Sequence, residues 1–320
     1  MVIAIDIGGS KFMTATMNPT GDLHHLKTHI YDGKTGFAPF FEMLKFEIAT
    51  ILRQTGAEKP AGIGISVPGP ADPTTGTLIF APYSGWRNIQ FKALLENEFH
   101  LPVFVENDVN ACAIGEKRFG VCREKQHFLW VTLSNGIGGA VFCDGKLFRG
   151  ASGMAGEVGH IFVQPNGPEC GCGHRGCLEA VASATALALQ VAAEIERNPS
   201  AAQNYPDQTR RELVKRTFEL ARQGDAFSRN LVETAARFVG LGLAPAVNLL
   251  NPELIVFGGG MSLSLDLMAD KILQTIQAHV LPGLADKLQI IGTALGYHAS
   301  LMGAGTLALK NPTSLSQRIC

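Results

Sequence analysis

The chain has almost no net charge: 27 lysines and arginines stand against 28 aspartates and glutamates, a formal balance of −1 over 320 residues. Binding to nucleic acid or to an anionic membrane needs a basic surface, and this composition gives no reason to expect one. Long hydrophobic runs are missing too, since no stretch reaches the roughly 20 apolar residues that cross a bilayer. The N-terminus, Met1-Val2-Ile3-Ala4-Ile5-Asp6, has no basic leader before its first apolar residues and meets a carboxylate at once, so no signal peptide is expected. These absences predict a cytoplasmic protein. Low-complexity segments are lacking, and so are two nucleotide signatures. No GxxxxGK(S/T) occurs, which excludes a Walker-type ATPase, and no GxGxxG opens an early helix as a dinucleotide site requires. What is present is a chain 46% hydrophobic and 17% charged, long enough to bury a large core and to form two domains.

Cysteine is used unevenly. His160, Cys170, Cys172 and Cys177 share one Gly-rich stretch, GHIFVQPNGPECGCGHRGCLE, from Gly159 to Glu179. Zn²⁺ at a structural site takes four tetrahedral N/S ligands, and loops rich in Gly, Pro and Asn can wrap the ion without distorting a helix or strand. Incidental cysteines, or a disulfide with a spare thiol, are the alternatives, though a cytoplasmic chain has little use for a disulfide. Cys112, Cys122, Cys143 and Cys320 read as reduced thiols.

Periodicity gives the organisation. Apolar, β-branched runs at Val2 to Ile7 and Phe12 to Met17, split by Gly8-Gly9 and followed by a turn at Pro19 to Gly21, predict a meander of hairpin-linked strands. A helix is expected over Ala38 to Thr55, a buried strand over Gly62 to Val67 ending in Pro68-Gly69-Pro70, a helix near Phe91 to Phe99 and a strand at Val103 to Glu106. A second strand, Gly-rich turn and strand occupies Phe128 to Phe148, which predicts an internal duplication of one unit. From Ala180 the pattern is helical, with one helix expected through AVASATALALQVAAEIER and others around Arg210 to Arg222 and Asp225 to Leu250. A parallel-type strand follows at Leu254 to Phe257, then a helix over Ser264 to Ala278 and a short apolar helix over Ser300 to Leu309 that would pack back on the first domain.

Three Gly-rich turns after strands could cradle phosphate through backbone N–H groups. They are Asp6-Ile7-Gly8-Gly9-Ser10-Lys11, Ser134-Asn135-Gly136-Ile137-Gly138-Gly139 and Gly258-Gly259-Gly260. In the first, Asp6 could hold Mg²⁺ through water. One Gly-Gly turn alone is equally well turn chemistry. Glu106-Asn107-Asp108 ends a strand, where an open sheet presents its crevice, so Asp108 is placed to act as a general base on a bound hydroxyl, or else caps the helix beginning at Val109. Glu157 and Glu179 flank the cysteine block and read either as site carboxylates or as ordinary charge.

Together, DIGGSK at Asp6, the PGP turn at Pro68, ENDVNA at Glu106, the hairpin at Ser134, GEVGH at Gly156, CGCGHRGCLE at Cys170 and VFGGG at Val256 resemble the ROK family of sugar kinases and sugar-responsive repressors, in order along residues 1 to about 310. The family belongs to the actin/Hsp70/hexokinase superfamily. The resemblance implies a two-domain α/β actin-like ATPase fold, ribonuclease H-like and duplicated, with an inserted zinc loop at 159–179. It implies a smaller domain over 1–119 plus 300–320 and a larger one over 120–299. It implies ATP-dependent phosphorylation of a hexose at the 6-hydroxyl by a glucokinase-like enzyme, with Mg²⁺, structural zinc and a homodimeric assembly.

Residue by residue, Asp6, Gly8, Gly9, Ser10 and Lys11 would fall on the first phosphate turn, Ser134, Asn135, Gly136, Gly138 and Gly139 on the second, and Gly258, Gly259 and Gly260 on the adenosine contact. Asp108 would be the catalytic base and Asn107 would bond sugar hydroxyls. Gly69 would lie against the sugar. Glu157, His160 and Glu179 would hold hydroxyls on the anomeric side, so His160 would serve both metal and substrate. Phosphoryl transfer asks for an in-line hydroxyl and charge neutralisation more than covalent help, which suits one base, one Mg²⁺ and backbone cradles. Four protein ligands leave zinc no open position, so its role would be to fix the loop carrying His160 and Glu179.

Two departures bear on binding. Ser134-Asn135 stands where the family has Gly-Thr, which touches nucleotide affinity, and Tyr83-Ser84 stands where relatives have Asn-Leu, which touches sugar preference. Glu157 in GEVGH favours glucose or N-acetylglucosamine over N-acetylmannosamine by resemblance. Glucose is the first expectation, with N-acetylglucosamine, N-acetylmannosamine or fructose phosphorylation, or a non-catalytic sugar-binding regulator, as alternatives. A repressor would carry a helix-turn-helix domain before the first turn, and none is expected ahead of a strand that starts at Val2.

Overall fold

The computed structural model describes residues 1–309 apart from 57 and 208, so the expectations for 310–320 and for Cys320 lie outside the described residues. In chain order the strands are β1 (Val2–Ile7), β2 (Lys11–Met17), β3 (Leu23–Ile30), β4 (Ile63–Val67), β5 (Ala71–Asp72), β6 (Thr77–Phe80), β7 (Arg87–Ile89), β8 (Val103–Asn107), β9 (Phe128–Leu133), β10 (Ile137–Cys143), β11 (Lys146–Phe148), β12 (Leu254–Gly258) and β13 (Gln289–Gly292). The α-helices are α1 (Phe37–Thr55), α2 (Phe91–Phe99), α3 (Asp108–Phe119), α4 (Leu178–Ala182), α5 (Ala184–Arg197), α6 (Arg210–Arg222), α7 (Ala226–Leu250), α8 (Ala269–His279) and α9 (Ala299–Ala308). None of the described helices is long and apolar enough to cross a membrane.

Two compact units divide the described chain, one of residues 1–126, 144–155 and from 293 onward, the other of 127–143 and 156–292. The first is built on a sheet of order β3-β2-β1-β4-β8. Here β1 pairs antiparallel with β2 and parallel with β4, which pairs parallel with β8. Because this sheet is covered on both faces, β1 is a continuous apolar run with Val2, Ile3, Ala4, Ile5 and Ile7 all fully buried. The second unit repeats the plan: β10 and β9 form the antiparallel hairpin, and β12 and β13 add parallel strands. The duplicated hairpins expected from sequence are the two ends of this repeated design. A small antiparallel sheet of β5, β6 and β7, which no sequence pattern announced, follows β4 in the first unit.

Close approach of α9 is what completes the first unit's site. A Cβ on Gly64 of β4 would lie 1.8 Å from the Ala304 carbonyl oxygen, and one on Gly303 would lie 1.7 Å from that of Ala111 in α3. Only glycine at these two positions lets the helix sit against the strand and against α3, and this seating delivers Ser300 to Asp6.

Two expected helices differ. The run from Ala180 breaks at Ser183, whose extended backbone and side-chain bond to Ala186 N start α5 as a separate helix. Residues Gly260–Leu267 form a 3₁₀ stretch, not the start of a helix at Ser264. Ser262 Oγ donates to the Gly259 carbonyl at 2.7 Å and Ser264 leaves helical geometry, so the α-helix begins at Ala269.

Candidate active site

In the first unit, strand register builds a row of polar side chains across the ends of three parallel strands. Asp6 pairs with Ser66, and Ser66 pairs with Glu106. Asp6 Oδ1 accepts from Ser66 Oγ at 2.6 Å and from Ser300 Oγ at 2.7 Å. Burial raises the Asp6 pKa, while both hydroxyls and Lys11 pull it down. The adjoining turn is a closed hairpin: Gly8 N–H donates to the Lys11 carbonyl at 2.9 Å, and Tyr31 Oη donates to the Gly8 carbonyl at 2.5 Å. The Gly8 amide is therefore taken up by the turn itself. A Cβ on Gly9 would meet the Tyr83 ring at 2.9 Å, which puts the divergent Tyr83 directly beside this turn.

Asn107 closes β8 and caps α3. Its Oδ1 accepts from Val109 N at 2.9 Å and Asn110 N at 3.1 Å, and its Nδ2 donates to the Gly69 carbonyl at 3.2 Å and to Asp108 Oδ1 at 3.0 Å. The cap is thus Asn107, not Asp108, because the helix already starts at Asp108. Val109 N also donates to Asp108 Oδ1 at 2.9 Å, so two bonds fix the carboxylate plane. A carboxylate in the first turn of a helix is ordinarily stabilised as the anion. Here burial, reinforced by the charge of Asp6, pushes the Asp108 pKa up to about 7.

In the second unit the turn Ser134 to Gly139 is gripped from below. Glu179, in the first turn of α4, accepts from Ile137 N at 2.8 Å through Oε2. Ala184 N donates to the Ser134 carbonyl at 2.9 Å and Thr185 Oγ1 to the Asn135 carbonyl at 2.7 Å. The departure at Ser134-Asn135 is accommodated by the start of α5, which holds both carbonyls. Gly139 and Gly156 touch backbone to backbone, since a Cβ on Gly156 would lie 2.4 Å from the Gly139 carbonyl oxygen. That contact lays the Glu157–His160 segment along β10. Gly258, Gly259 and Gly260 follow β12, with open space around the Cβ position of Gly260.

His160 joins two groups. Its Nδ1 lies 3.6 Å from Cys170 Sγ, and its Nε2 lies 3.9 Å from Glu157 Oε2. Burial and the Glu179 charge raise the Glu157 pKa, with His160 opposing them. Cys172 and Cys177 Sγ are 3.7 Å apart, far beyond a disulfide bond of about 2.05 Å. The four ligand atoms of His160, Cys170, Cys172 and Cys177 all lie within 4.8 Å of one another. Tetrahedral zinc with Zn–S near 2.3 Å and Zn–N near 2.0 Å requires an S–S edge of about 3.8 Å and an S–N edge of about 3.6 Å. The 3.7 and 3.6 Å edges match those two lengths, so the set could hold a zinc ion.

Sequence reading passed over Ser66, Ser300 and Arg149. Arg149 donates from Nε and Nη2 to Glu106 Oε2 at 3.0 and 2.6 Å. None belongs to a motif, and each reaches its partner from far along the chain.

The "ROK family" model matches residues 2–311. A glucokinase of Halalkalibacterium halodurans is 34% identical over 98% of this chain and 97% of its own length. A xylose repressor of Bacillus spizizenii is 32% identical over 78% of this chain and 61% of the repressor. Among solved structures, a ROK family glucokinase from Streptomyces griseus in complex with glucose and AMPPNP superposes with a TM-score of 0.80 at 31% identity, covering 96% of this chain and 98% of that one. A match over nearly the whole chain, on the same α/β fold and with the expected motifs in place, makes this protein a member of the ROK family.

Proposed function

We propose that this chain is an ATP-dependent sugar kinase that phosphorylates a hexose at its 6-hydroxyl, glucose first among the candidates, with Asp108 as general base. The observation that carries the reading is the Asp108 carboxyl itself, oriented by Asn107 and Val109 N at the end of a parallel strand and poised near neutral pH. Its Oδ2 would take the hydroxyl proton, while Asn107 and the Gly69 backbone would hold the sugar. Glu157, His160 and Glu179 would read further hydroxyls, each polar group finding a partner in the substrate.

Asp6 and Asp108 are two neighbouring carboxylates, with the charge of Asp6 raising the Asp108 pKa, and their combined negative charge would suit a divalent cation. Mg²⁺ bound with ATP would supply charge neutralisation at the transferred phosphoryl group. The glycine turns at Gly8–Lys11, Ser134–Gly139 and Gly258–Gly260 would receive the nucleotide, with zinc on His160 and the three cysteines. The likeness to glucokinases over their full length supports the sugar and the donor. A homodimer in the cytoplasm is part of the same proposal and rests on the family.

The test is a coupled ADP-release assay giving kcat/KM for glucose, N-acetylglucosamine, N-acetylmannosamine, fructose and allose. Glucose is expected to rank first, and failure of every hexose to elicit ADP release would refute the kinase reading. The xylose repressor match supports a second reading, a sugar-binding regulator, which predicts sugar binding without ADP release.

A pH dependence follows from the same proposal. A general base works as the anion, and with its pKa near 7 Asp108 is mostly protonated at pH 6. In the acidic limb kcat/KM should fall about tenfold per pH unit below roughly pH 7 and level off above it. A profile flat down to pH 5 contradicts this assignment.

A further inference from the structure

We propose that the ion pair between buried Glu106 and partly exposed Arg149 is a positioning device that holds Asn107 and Asp108 in register for catalysis. The inference rests on Asp108 being the base. Glu106 is 2% exposed, and both of its oxygens are occupied. Oε2 receives the two Arg149 donors. Oε1 receives Asn110 Nδ2 at 3.0 Å and Asn107 N at 3.1 Å. One carboxylate therefore ties an arginine from 43 residues away to the backbone amide of Asn107 and to the first turn of α3.

The pair is not what stability alone calls for. Removing two charges from water is costly, and apolar side chains of similar size commonly serve a core as well or better. What the carboxylate adds is direction, since an apolar residue at 106 cannot bond Asn107 N or Asn110. The arginine supplies the counter-charge and two donors that this buried acceptor needs. Arg149 is itself anchored: its carbonyl accepts from Ala155 N at 3.1 Å, closing the loop that runs in sequence into Gly156-Glu157. The clamp holds the catalytic carboxylate without touching substrate.

The experiment measures kcat, KM and the melting temperature of full-length, zinc-loaded Arg149→Met, Arg149→Lys, Glu106→Gln and the Glu106→Gln/Arg149→Met double variant, with Asp108→Asn in parallel. Misplacing a catalytic group by about 1 Å costs on the order of 100-fold, and that loss of kcat is expected in Arg149→Met. KM for ATP should stay within about threefold, because the nucleotide contacts are untouched. Lysine keeps the charge but not the fork, so Arg149→Lys should recover to within about tenfold of wild type. The double variant should be no worse than Arg149→Met, as expected for two residues acting as one unit.

A purely structural pair would lower the melting temperature and leave kcat per folded molecule unchanged, and that result overturns the proposal. Should Arg149→Met fail to fold, Arg149→Lys and Glu106→Gln carry the same reading: wild-type kcat in both overturns it. Turnover retained by Asp108→Asn would instead overturn the assignment of the base.

Discussion

Asp108→Asn is expected to lower turnover by about 10²- to 10⁴-fold, the range that a positioned general base contributes. Sugar affinity should change little, since the amide keeps the size and the acceptor oxygen that Asn107 Nδ2 and Val109 N now bond. The same variant should be more stable than wild type at alkaline pH. Folding raises the Asp108 pKa from 3.8 to about 7, so the native state favours the protonated form. The stability this protonation gives is present at low pH and is lost as pH rises through 7, where the buried anion must form. Replacement by Asn removes that cost, giving a gain on the order of 1–3 kcal/mol at pH 8, kept below the full shift because the side chain retains some solvent contact. The gain should vanish near pH 4. Denaturant melts of both proteins at pH 8 and pH 5 check the sign: equal midpoints at pH 8 would show that Asp108 is not held in a strained ionisation state. Lost turnover with increased stability separates a functional carboxylate from a structural one.

Removing the metal should be the second large effect. Cys177→Ser takes away one ligand of the set, and metal content should drop from one zinc per chain to well below that by elemental analysis. The expected kinetic consequence is a fall of about 10- to 100-fold in kcat/KM for the sugar, with KM for ATP within a few-fold. The asymmetry follows from what the ion would hold. With zinc on Nδ1, the His160 ring would carry its proton on Nε2, the nitrogen nearest Glu157 Oε2. Glu179, two residues after Cys177, lies in the first turn of α4 and also supports the turn at Ile137 N. Loosening this loop should blur the sugar-reading side chains. A metal-free protein with unchanged sugar affinity and rate would reduce the zinc to a stabilising clip.

Local chemistry made part of this molecule legible before any coordinates. The metal set could be read because its ligands lie within one short loop, and ligand type alone constrains the ion. The strands bearing Asp6 and Asp108 could be read because parallel strands buried on both faces leave continuous apolar runs that end in polar residues. The halves of the fold were visible as a repeated strand, Gly-rich turn and strand.

Other features depend on tertiary contacts that leave no periodic trace. Ser66 and Ser300 become partners of Asp6 from 60 and 294 residues away, the second only because glycines at 64 and 303 admit α9 so closely. Arg149 looks like any surface arginine after a short strand. The break at Ser183 was hidden by its strongly helical neighbours, with one seryl bond to Ala186 N deciding against continuity. At Asp108 the sequence left base and cap as alternatives. The structure gives the cap to Asn107, so the capping alternative for Asp108 falls away and its proposed role as base rests on the Asp108→Asn test.

The most direct measurement of the central claim is a product balance with purified protein, glucose, ATP and Mg²⁺, counting ADP and glucose 6-phosphate for wild type and Asp108→Asn. One sugar phosphate per ADP is expected in the wild type, and loss of both products together in the variant, with glucose still bound. ADP formed without sugar phosphate, or sugar phosphate formed at the wild-type rate by Asp108→Asn, would contradict that claim.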